Sequence, residues 1–334
     1  MKRINVAVDA MGGDNAPREI VRGAVAALDL PSQPELTFFG DEETVRAELE
    51  ETGCNSDRVH VVHTTQVIGM AELPVEALRR KRDSSIMQIV LRCASGEFDG
   101  CISAGNTGAF AAAAQLKLGL LEGVSRSGIA VVIPSFHGPL TVCDVGANVS
   151  AKPHHLKDYG VMASAYAREV VGVKEPRVGL LSIGEEDAKG NELVKETWQM
   201  LKETEGIRFI GNVEGRALFS GECDVAVCDG FVGNVVLKLT EGLAEGLLQT
   251  IARDIAARSA DLAERFKPVV KALWDRHDYS EYGGAPLLGV NGVVIICHGR
   301  SDRRAIRNAV RVVCEFVAHD LNAKFVQCLA TSQR

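Results

Sequence analysis

The stretch Ile4-Asn5-Val6-Ala7-Val8-Asp9-Ala10-Met11-Gly12-Gly13-Asp14-Asn15-Ala16-Pro17, running on into Arg18–Leu28, holds one complete structural unit. Ile4–Val8 is a short apolar run of strand type. Asp9–Ala16 is a loop of small and polar residues, in which paired glycines let a ligand approach the backbone. Pro17 suits the first position of a helix, where its missing N–H costs nothing. Apolar residues then recur at helical spacing up to Leu28. Strand, glycine loop and helix in that order suggest a parallel α/β sheet with ligand loops at its strand ends.

The same order recurs along the chain. Further strands are expected at Leu36–Phe39, Val59–His63, Gly100–Ser103, Ile129–Ile133, Leu140–Cys143, Val178–Ser182, Arg208–Ile210, Asp224–Cys228 and Val293–Cys297. They are nearly continuous apolar runs, the pattern of strands buried on both faces. Helical patterns occupy Glu42–Glu51, Val75–Ala94, Thr107–Leu118, His154–Val171, Leu193–Lys202 and a long stretch from Val232. The reading is an α/β fold with a mostly parallel sheet and helices on both faces. No linker or repeat divides it, so residues 1–334 form one catalytic domain.

One segment, at about 240–280, breaks the rhythm. Leu243, Leu247, Ile251 and Ile255 recur every fourth residue, and Leu262, Phe266, Val270 and Leu273 form a second stripe interrupted by Pro268. Proline should kink or divide that helix, so a hairpin-like helical projection is expected. Leu247, Ile251, Arg258, Arg265, Lys267 and Lys271 are its candidate docking residues, with a core or dimer-interface role as the plainer alternative.

Composition narrows the function. The net charge is −7, which argues against a nucleic-acid binder. Nine cysteines without a C-x-x-C pair or zinc-type spacing suit a reducing compartment and small buried apolar roles. An N-terminal signal is not expected, because apolar alternation begins at Ile4, and no run of about 18 apolar residues would span a membrane. A cytoplasmic protein is the expectation.

Five post-strand loops carry the candidate chemistry, and a parallel sheet would deliver all of them to one edge. The first supplies Asp9, Gly12, Gly13 and Asp14. The second, Ser103-Ala104-Gly105-Asn106-Thr107-Gly108, enters a helix and should expose backbone N–H groups to an anion. The third, Asp144-Val145-Gly146-Ala147-Asn148-Val149-Ser150-Ala151-Lys152, adds a cation. The fourth runs from Ile183 through Glu192, and the fifth is Asp229-Gly230-Phe231-Val232-Gly233-Asn234. A single loop of this kind is commonly just a turn. Five together, without a P-loop or dinucleotide fingerprint, suggest a small anion as ligand. No Cys stands in a glycine loop with a His beside it, so a Cys acyl-enzyme is disfavoured. His154 and His155, opening a helix, read as surface residues.

On these loops the chain resembles the bacterial phosphate acyltransferase family PlsX. The resemblance rests on Val8–Asp14, Ile102–Ala109, Asp144–Asn148, Lys189–Glu192 and Asp229–Asn234, with flanking matches at Arg80–Ser85 and Tyr282–Ala285. It covers essentially the whole chain. Ser150 and His154 depart from the family pattern, and Gly299–Arg304 is more basic than expected. The resemblance implies a three-layer α/β/α fold of the isocitrate dehydrogenase and phosphotransacetylase type. It implies transfer of a long-chain acyl group from acyl carrier protein to inorganic phosphate, for phospholipid synthesis. A homodimer at the membrane surface is implied, with a membrane glycerol-3-phosphate acyltransferase as a further partner.

The chemistry agrees. Phosphate is already a nucleophile and a thiolate a fair leaving group, so no metal or cofactor is expected. The protein must hold phosphate near a thioester and stabilise an oxyanion. Asn106 and Lys152 are candidates for this. Asp9, Asp14, Asp144 and Asp229 are equal candidates to protonate the leaving group, with loop capping as their alternative role. Gly12, Gly13, Ser103, Gly105, Thr107, Gly108, Gly146, Ala147, Asn148, Asn191, Gly230 and Asn234 are the expected substrate contacts, and phosphate is expected at the Ser103–Gly108 and Asp144–Lys152 loops. The alternatives are a coenzyme A-dependent phosphotransacetylase, an isocitrate-type oxidoreductase and a non-enzymatic lipid-synthesis scaffold.

Overall fold

In the first strand Val6 and Val8 pack into the hydrophobic cluster on one face and Ala7 into the cluster on the other, and all three are fully buried. Both faces of the strand are therefore covered, as its apolar run requires. The computed structural model describes residues 3–277 and 279–332, with side chains described outside 272–280. The Leu273 side chain, expected in the second apolar stripe, lies outside the described residues.

The strands are β1 (Asn5–Asp9), β2 (Glu35–Gly40), β3 (Val59–His63), β4 (Gly100–Ser103), β5 (Gly128–Ser135), β6 (Gly138–Cys143), β7 (Arg177–Leu181), β8 (Arg208–Val213), β9 (Val225–Val227), β10 (Ala285–Leu288) and β11 (Val293–Ile296). They form one sheet in the order β3-β2-β1-β4-β11-β10-β5-β6-β9-β7-β8. Seven of its ten neighbouring pairs are parallel, so the sheet is mostly parallel as expected. Helices Arg18–Ala26, Pro153–Tyr166 and Arg303–Ala318 contribute to the core on one face, and Ser85–Ala94 and Thr107–Lys117 to that on the other. This is the three-layer α/β/α architecture.

The three antiparallel pairs, β11–β10, β10–β5 and β5–β6, change the geometry of the loops. Strands β3, β2, β1, β4 and β11 run one way, while β6, β9, β7 and β8 run the other. The five glycine loops therefore do not share one edge. Those after β1 and β4 open in one direction, and those after β6, β7 and β9 in the opposite one.

Several elements differ from the sequence reading. Val75–Ala94 divides into Pro74–Arg80 and Ser85–Ala94, and Ser84 caps the second by accepting from the Met87 amide at 3.4 Å. Strand β10 and the helices Arg303–Ala318 and Leu321–Thr331 were not foreseen. The projection is a hairpin of Gly230–Arg258 and Ala260–His277. Its break falls at Ser259, which is extended at φ −164°, not at Pro268, which lies inside the second helix. Ser259 Oγ accepts from the Leu262 amide at 3.3 Å and so starts that helix.

Candidate active site

At the end of β1 the buried Asp9 organises its own loop. Its carboxylate accepts from Ser103 Oγ at 2.6 Å and from the Met11 amide at 3.1 Å. Burial nevertheless pushes its pKa up, against the pull of these hydrogen bonds. A β-carbon on Gly12 would stand 2.6 Å from the Gly105 nitrogen, so only glycine lets the first two loops meet. Asn106 is fully engaged as a cap: Oδ1 accepts from the Ala109 amide at 3.0 Å, and Nδ2 donates to the carbonyls of Gly69, Met70 and Glu72. Thr107 and Gly108 are exposed in the first turn of that helix, where amides lack internal acceptors. Asp14 is exposed, and its amide donates to Gly299 O at 2.7 Å. The loop after β11, which the sequence reading did not treat as a site loop, thereby joins this end.

At the opposite edge the Asp144 loop is folded around its own carboxylate. Asp144 is fully buried, and Oδ1 accepts from the amides of Ile129, Gly146 and Ala147 at 3.0, 3.0 and 2.9 Å. Oδ2 accepts from Asn148 N at 2.7 Å. The amides that could cradle an outside anion are thus already committed to an internal one. Burial raises the Asp144 pKa while these four bonds oppose the rise. Asn148 donates to Ser127 O at 2.6 Å and to Tyr159 Oη at 2.7 Å, which ties the loop to the helix Pro153–Tyr166. Asp229 caps the long helix, accepting from Phe231 N and Val232 N at 3.0 and 3.1 Å. Asn191 likewise caps Glu192–Glu203 through the Val194 amide at 3.0 Å.

What remains open at this edge is cationic. Lys152 and Lys189 are both exposed, and among the described residues neither is ion-paired to a carboxylate. They stand on the loops after β6 and β7, which flank β9. The sequence reading placed Lys189 in a matching motif but did not make it a site candidate, although it carries the same signal as Lys152, a lone cation in a glycine-containing post-strand loop. His155, expected at the surface, is buried at 7% exposure and accepts from the Lys152 amide through Nδ1 at 3.0 Å. Desolvation, with the nearby His154, Arg126 and Lys152, lowers its pKa to about 4, so the ring is neutral and the Lys152 backbone is held. Asp158, also not singled out, is buried beside Lys157 at 3.4 Å, and desolvation raises its pKa.

The strand ends that carry the two sets of loops can be placed by their register. Ser103 pairs with Ile296, Ile296 with Ala285, Leu287 with Ile129, and Ala130 with Cys143. The ends of β4 and β6 therefore stand at nearly the same height, separated by the spacings across β11, β10 and β5. At ~4.8 Å per spacing that is about 19 Å. That spacing is between the strand ends, and the loops of both halves project beyond it. The helix Gly230–Arg258 spans the gap. At its start, β-carbons on Gly230 and Gly233 would meet Asp144 Oδ2 at 2.7 Å and Asp144 O at 1.9 Å, so the helix end is pressed onto the Asp144 loop. Asn234 is exposed there, with Oδ1 3.9 Å from where a Gly146 β-carbon would be. One turn on, about 6 Å along the axis, Lys238 Nζ lies 3.2 Å from His298 Nε2 in the loop after β11.

The hairpin exposes Leu239, Leu243, Leu247 and Ile251, at 68, 59, 54 and 44%. Its cations are mostly neutralised locally: Arg265 pairs with Asp261 at 3.6 Å, Arg253 lies 3.6 Å from Asp254, and Lys267 pairs with Glu264. Arg258 and Lys271 are the exposed cations there that have no such carboxylate among the described residues. Between the two helices lies a cavity of about 460 Å³, lined by Ala252, Ile255, Ala256, Ala263, Phe266 and Val270 with Lys267 and Lys271. No helix among the described residues is long and apolar enough to cross a membrane.

Comparison with known proteins places this geometry. The family described as "Fatty acid synthesis protein" matches residues 4–324. A phosphate acyltransferase of Pelotomaculum thermopropionicum is 48% identical over 323 residues, covering 95% of this chain and 93% of that one. One from Halothermothrix orenii is 47% identical over 319 residues, covering 94% and 95%. Among solved structures, a phosphotransacetylase from Streptococcus pyogenes superposes with a TM-score of 0.66 at 16% identity, covering 95% of this chain and 94% of that one. The EutD phosphotransacetylase of Staphylococcus aureus gives 0.63 at 15%, with 94% of each chain covered. These structures share the fold. On the strength of near-full-length identity, the chain belongs to the phosphate acyltransferases, enzymes that transfer an acyl group to phosphate.

Proposed function

We propose that the chain takes a long-chain acyl group from the thioester of an acyl carrier protein and delivers it to inorganic phosphate at the edge formed by the β6, β7 and β9 loops, for phospholipid synthesis. The observation that carries the site is the pair of exposed, carboxylate-free cations Lys152 and Lys189 on the loops flanking β9. Hydrogen phosphate held there attacks the thioester carbonyl carbon. The tetrahedral oxyanion collapses, the C–S bond breaks, and the thiolate takes the proton that phosphate brought. Acyl phosphate and free thiol are the products, and the balance needs no redox partner. Lysine charge and the exposed amide of Asn234 stabilise negative charge as it develops. Asp144 and Asp229 serve this reaction by shaping their loops.

In this reading the exposed apolar face of the hairpin is covered by a second copy of the chain, and Arg258 at its tip, with Lys271 further along the second helix, meets the acidic carrier or an anionic membrane surface. The cytoplasmic side of that membrane is the proposed location. The test is turnover on acyl-carrier protein against acyl-coenzyme A, with phosphate varied. Lys152→Ala and Lys189→Ala should each raise the phosphate KM about tenfold or more, while unfolding midpoints stay at wild type. Wild-type phosphate dependence in both variants removes this edge as the phosphate site. A strong preference for acyl-coenzyme A removes the carrier protein as donor.

A further inference from the structure

The long helix Gly230–Arg258 is held by its first turn at the Asp144 loop and by Val236 and Leu237 packed on the core, and is then exposed for most of its length. One further set of contacts ties it to the other half of the sheet. Lys238 Nζ lies 3.2 Å from His298 Nε2 and 2.8 Å from Glu241 Oε2. The Arg300 guanidinium lies 3.7 Å from Glu245 on the same helix. The loop carrying His298 and Arg300 is itself fixed to the β1 loop, because Asp14 N donates to Gly299 O at 2.7 Å and Asn15 Nδ2 donates to Arg300 O at 3.3 Å. We propose that Lys238 and His298 are positioning residues, a latch that fixes the helix across the gap and so keeps Asn234 at the Asp144–Lys152 edge.

The chemistry of the ring makes the latch sensitive to protonation. Arg300 N also approaches His298, at 3.2 Å from Nδ1. A neutral imidazole accepts at one nitrogen only, so the lysine and the backbone amide compete for it. An imidazolium accepts at neither, and it would set a second positive charge against Lys238. The charged groups facing the ring are Lys238 and Glu241 from the helix, Arg300 from its own loop and Asp14 from the β1 loop. Burial and the two cations keep the ring neutral to lower pH than usual. Lys238 sits one turn from Asn234, so release of the latch moves an active-site residue without touching substrate.

This inference rests on the assignment of phosphate to the Lys152 edge, and its test separates the two. Lys238→Met, His298→Gln and the double variant form one cycle, with Lys238→Arg as the conservative control. Each single change should raise the phosphate KM about tenfold, and the double should be no worse than either, because one contact is being removed twice. Lys238→Arg should recover most of the loss. Going from about pH 8 to about pH 5.5, the ratio of wild-type to His298→Gln kcat/KM should fall, since only the wild type has a ring to protonate. Hydrogen exchange on the ligand-free protein should show faster exchange across amides 230–241 in Lys238→Met. Multiplicative losses in the cycle, a pH-independent ratio, or unchanged exchange would each overturn the latch. Faster exchange together with a wild-type phosphate KM in Lys152→Ala would uphold the latch and overturn the site assignment.

Discussion

Gly233 gives the sharpest test of how the long helix meets the Asp144 loop. An added β-carbon would lie 1.9 Å from the Asp144 carbonyl oxygen, 2.9 Å from its carbonyl carbon and 3.0 Å from Cys228 Sγ. Carbon–oxygen contact needs at least about 3.2 Å, so Gly233→Ala must drive helix and loop apart by roughly 1.3 Å. Neither side yields easily. The Asp144 backbone is pinned by a buried carboxylate holding four amides, and Cys228 is hydrogen-bonded to the end of β6. Overpacking of this kind costs about 1–3 kcal/mol, and backbone as the obstacle argues for the upper figure. At roughly 2.1 cal/mol/K per residue, about 3 kcal/mol lowers the melting midpoint of a chain this long by roughly 4 °C. A displacement of about 1 Å at Asn234 should also lower kcat/KM for phosphate on the order of a hundredfold. Gly242 on the same helix is the internal control, because nothing lies within 4 Å of its added β-carbon. Gly242→Ala should stabilise by about 0.4–1 kcal/mol. Thermal unfolding and phosphate-dependent turnover on both variants decide the matter. A Gly233→Ala protein that melts and turns over as wild type would refute the reasoning.

Four other outcomes are expected. Asp229→Ala should cost about 0.5–2 kcal/mol in urea unfolding by removing the helix cap, whereas Asp229→Asn should keep most of it. The His155 ring, at about 4 in the fold against an ordinary 6.5, makes the unfolded state bind more protons between those values. Stability should therefore be fully present above pH 6.5 and fall as pH drops toward 4, by at most about 3 kcal/mol, and His155→Gln should flatten that part of the curve in denaturation at stepped pH. Turnover should survive EDTA, because the proposed step uses lysine charge and a good leaving group; loss in chelator with rescue by a divalent ion would contradict it. Reversing Arg258 and Lys271 to Glu should slow turnover on acyl-carrier protein more than on a small acyl thioester, and more so at low salt.

The strands were legible because most are covered on both faces, which leaves few polar residues in them. Val6, Ala7 and Val8 all had to be apolar. Strand β10 broke that rule: its four residues include Pro286, following two glycines, and the run reads as a turn. The projection was visible as a strandless amphipathic stretch, but its hinge was not. Pro268 is the obvious breaker by sequence, while the turn at Ser259 needs only one extended residue and a hydroxyl to start the next helix. Strand direction left no trace at all. An apolar run reads the same whichever way its strand points, so the reversal between the β4 and β6 halves, which separates the glycine loops, had to come from the pairing.

The glycine loops carry a subtler ambiguity. Asp144-Val145-Gly146-Ala147-Asn148 has the composition of a loop that binds an outside anion, and it does gather amides around an anion, its own carboxylate. Asn106 and Asp229 repeat the lesson, since each spends its side chain on the first turn of the helix it precedes. Small polar residues after a strand therefore mark a place where backbone amides converge, and leave open which anion they serve. The deciding feature is the charge left over once internal partners are satisfied. At the β4 end Lys238 approaches Glu241 and Arg300 approaches Glu245, while Arg18, after the β1 loop, has no carboxylate partner among the described residues. At the β6 end Lys152 and Lys189 remain without such a partner among the described residues. A dianion gains more where it does not have to displace a carboxylate from its cation. That is the ground on which we propose the β6 edge for phosphate, with Lys238 and His298 anchoring the helix at the β4 side.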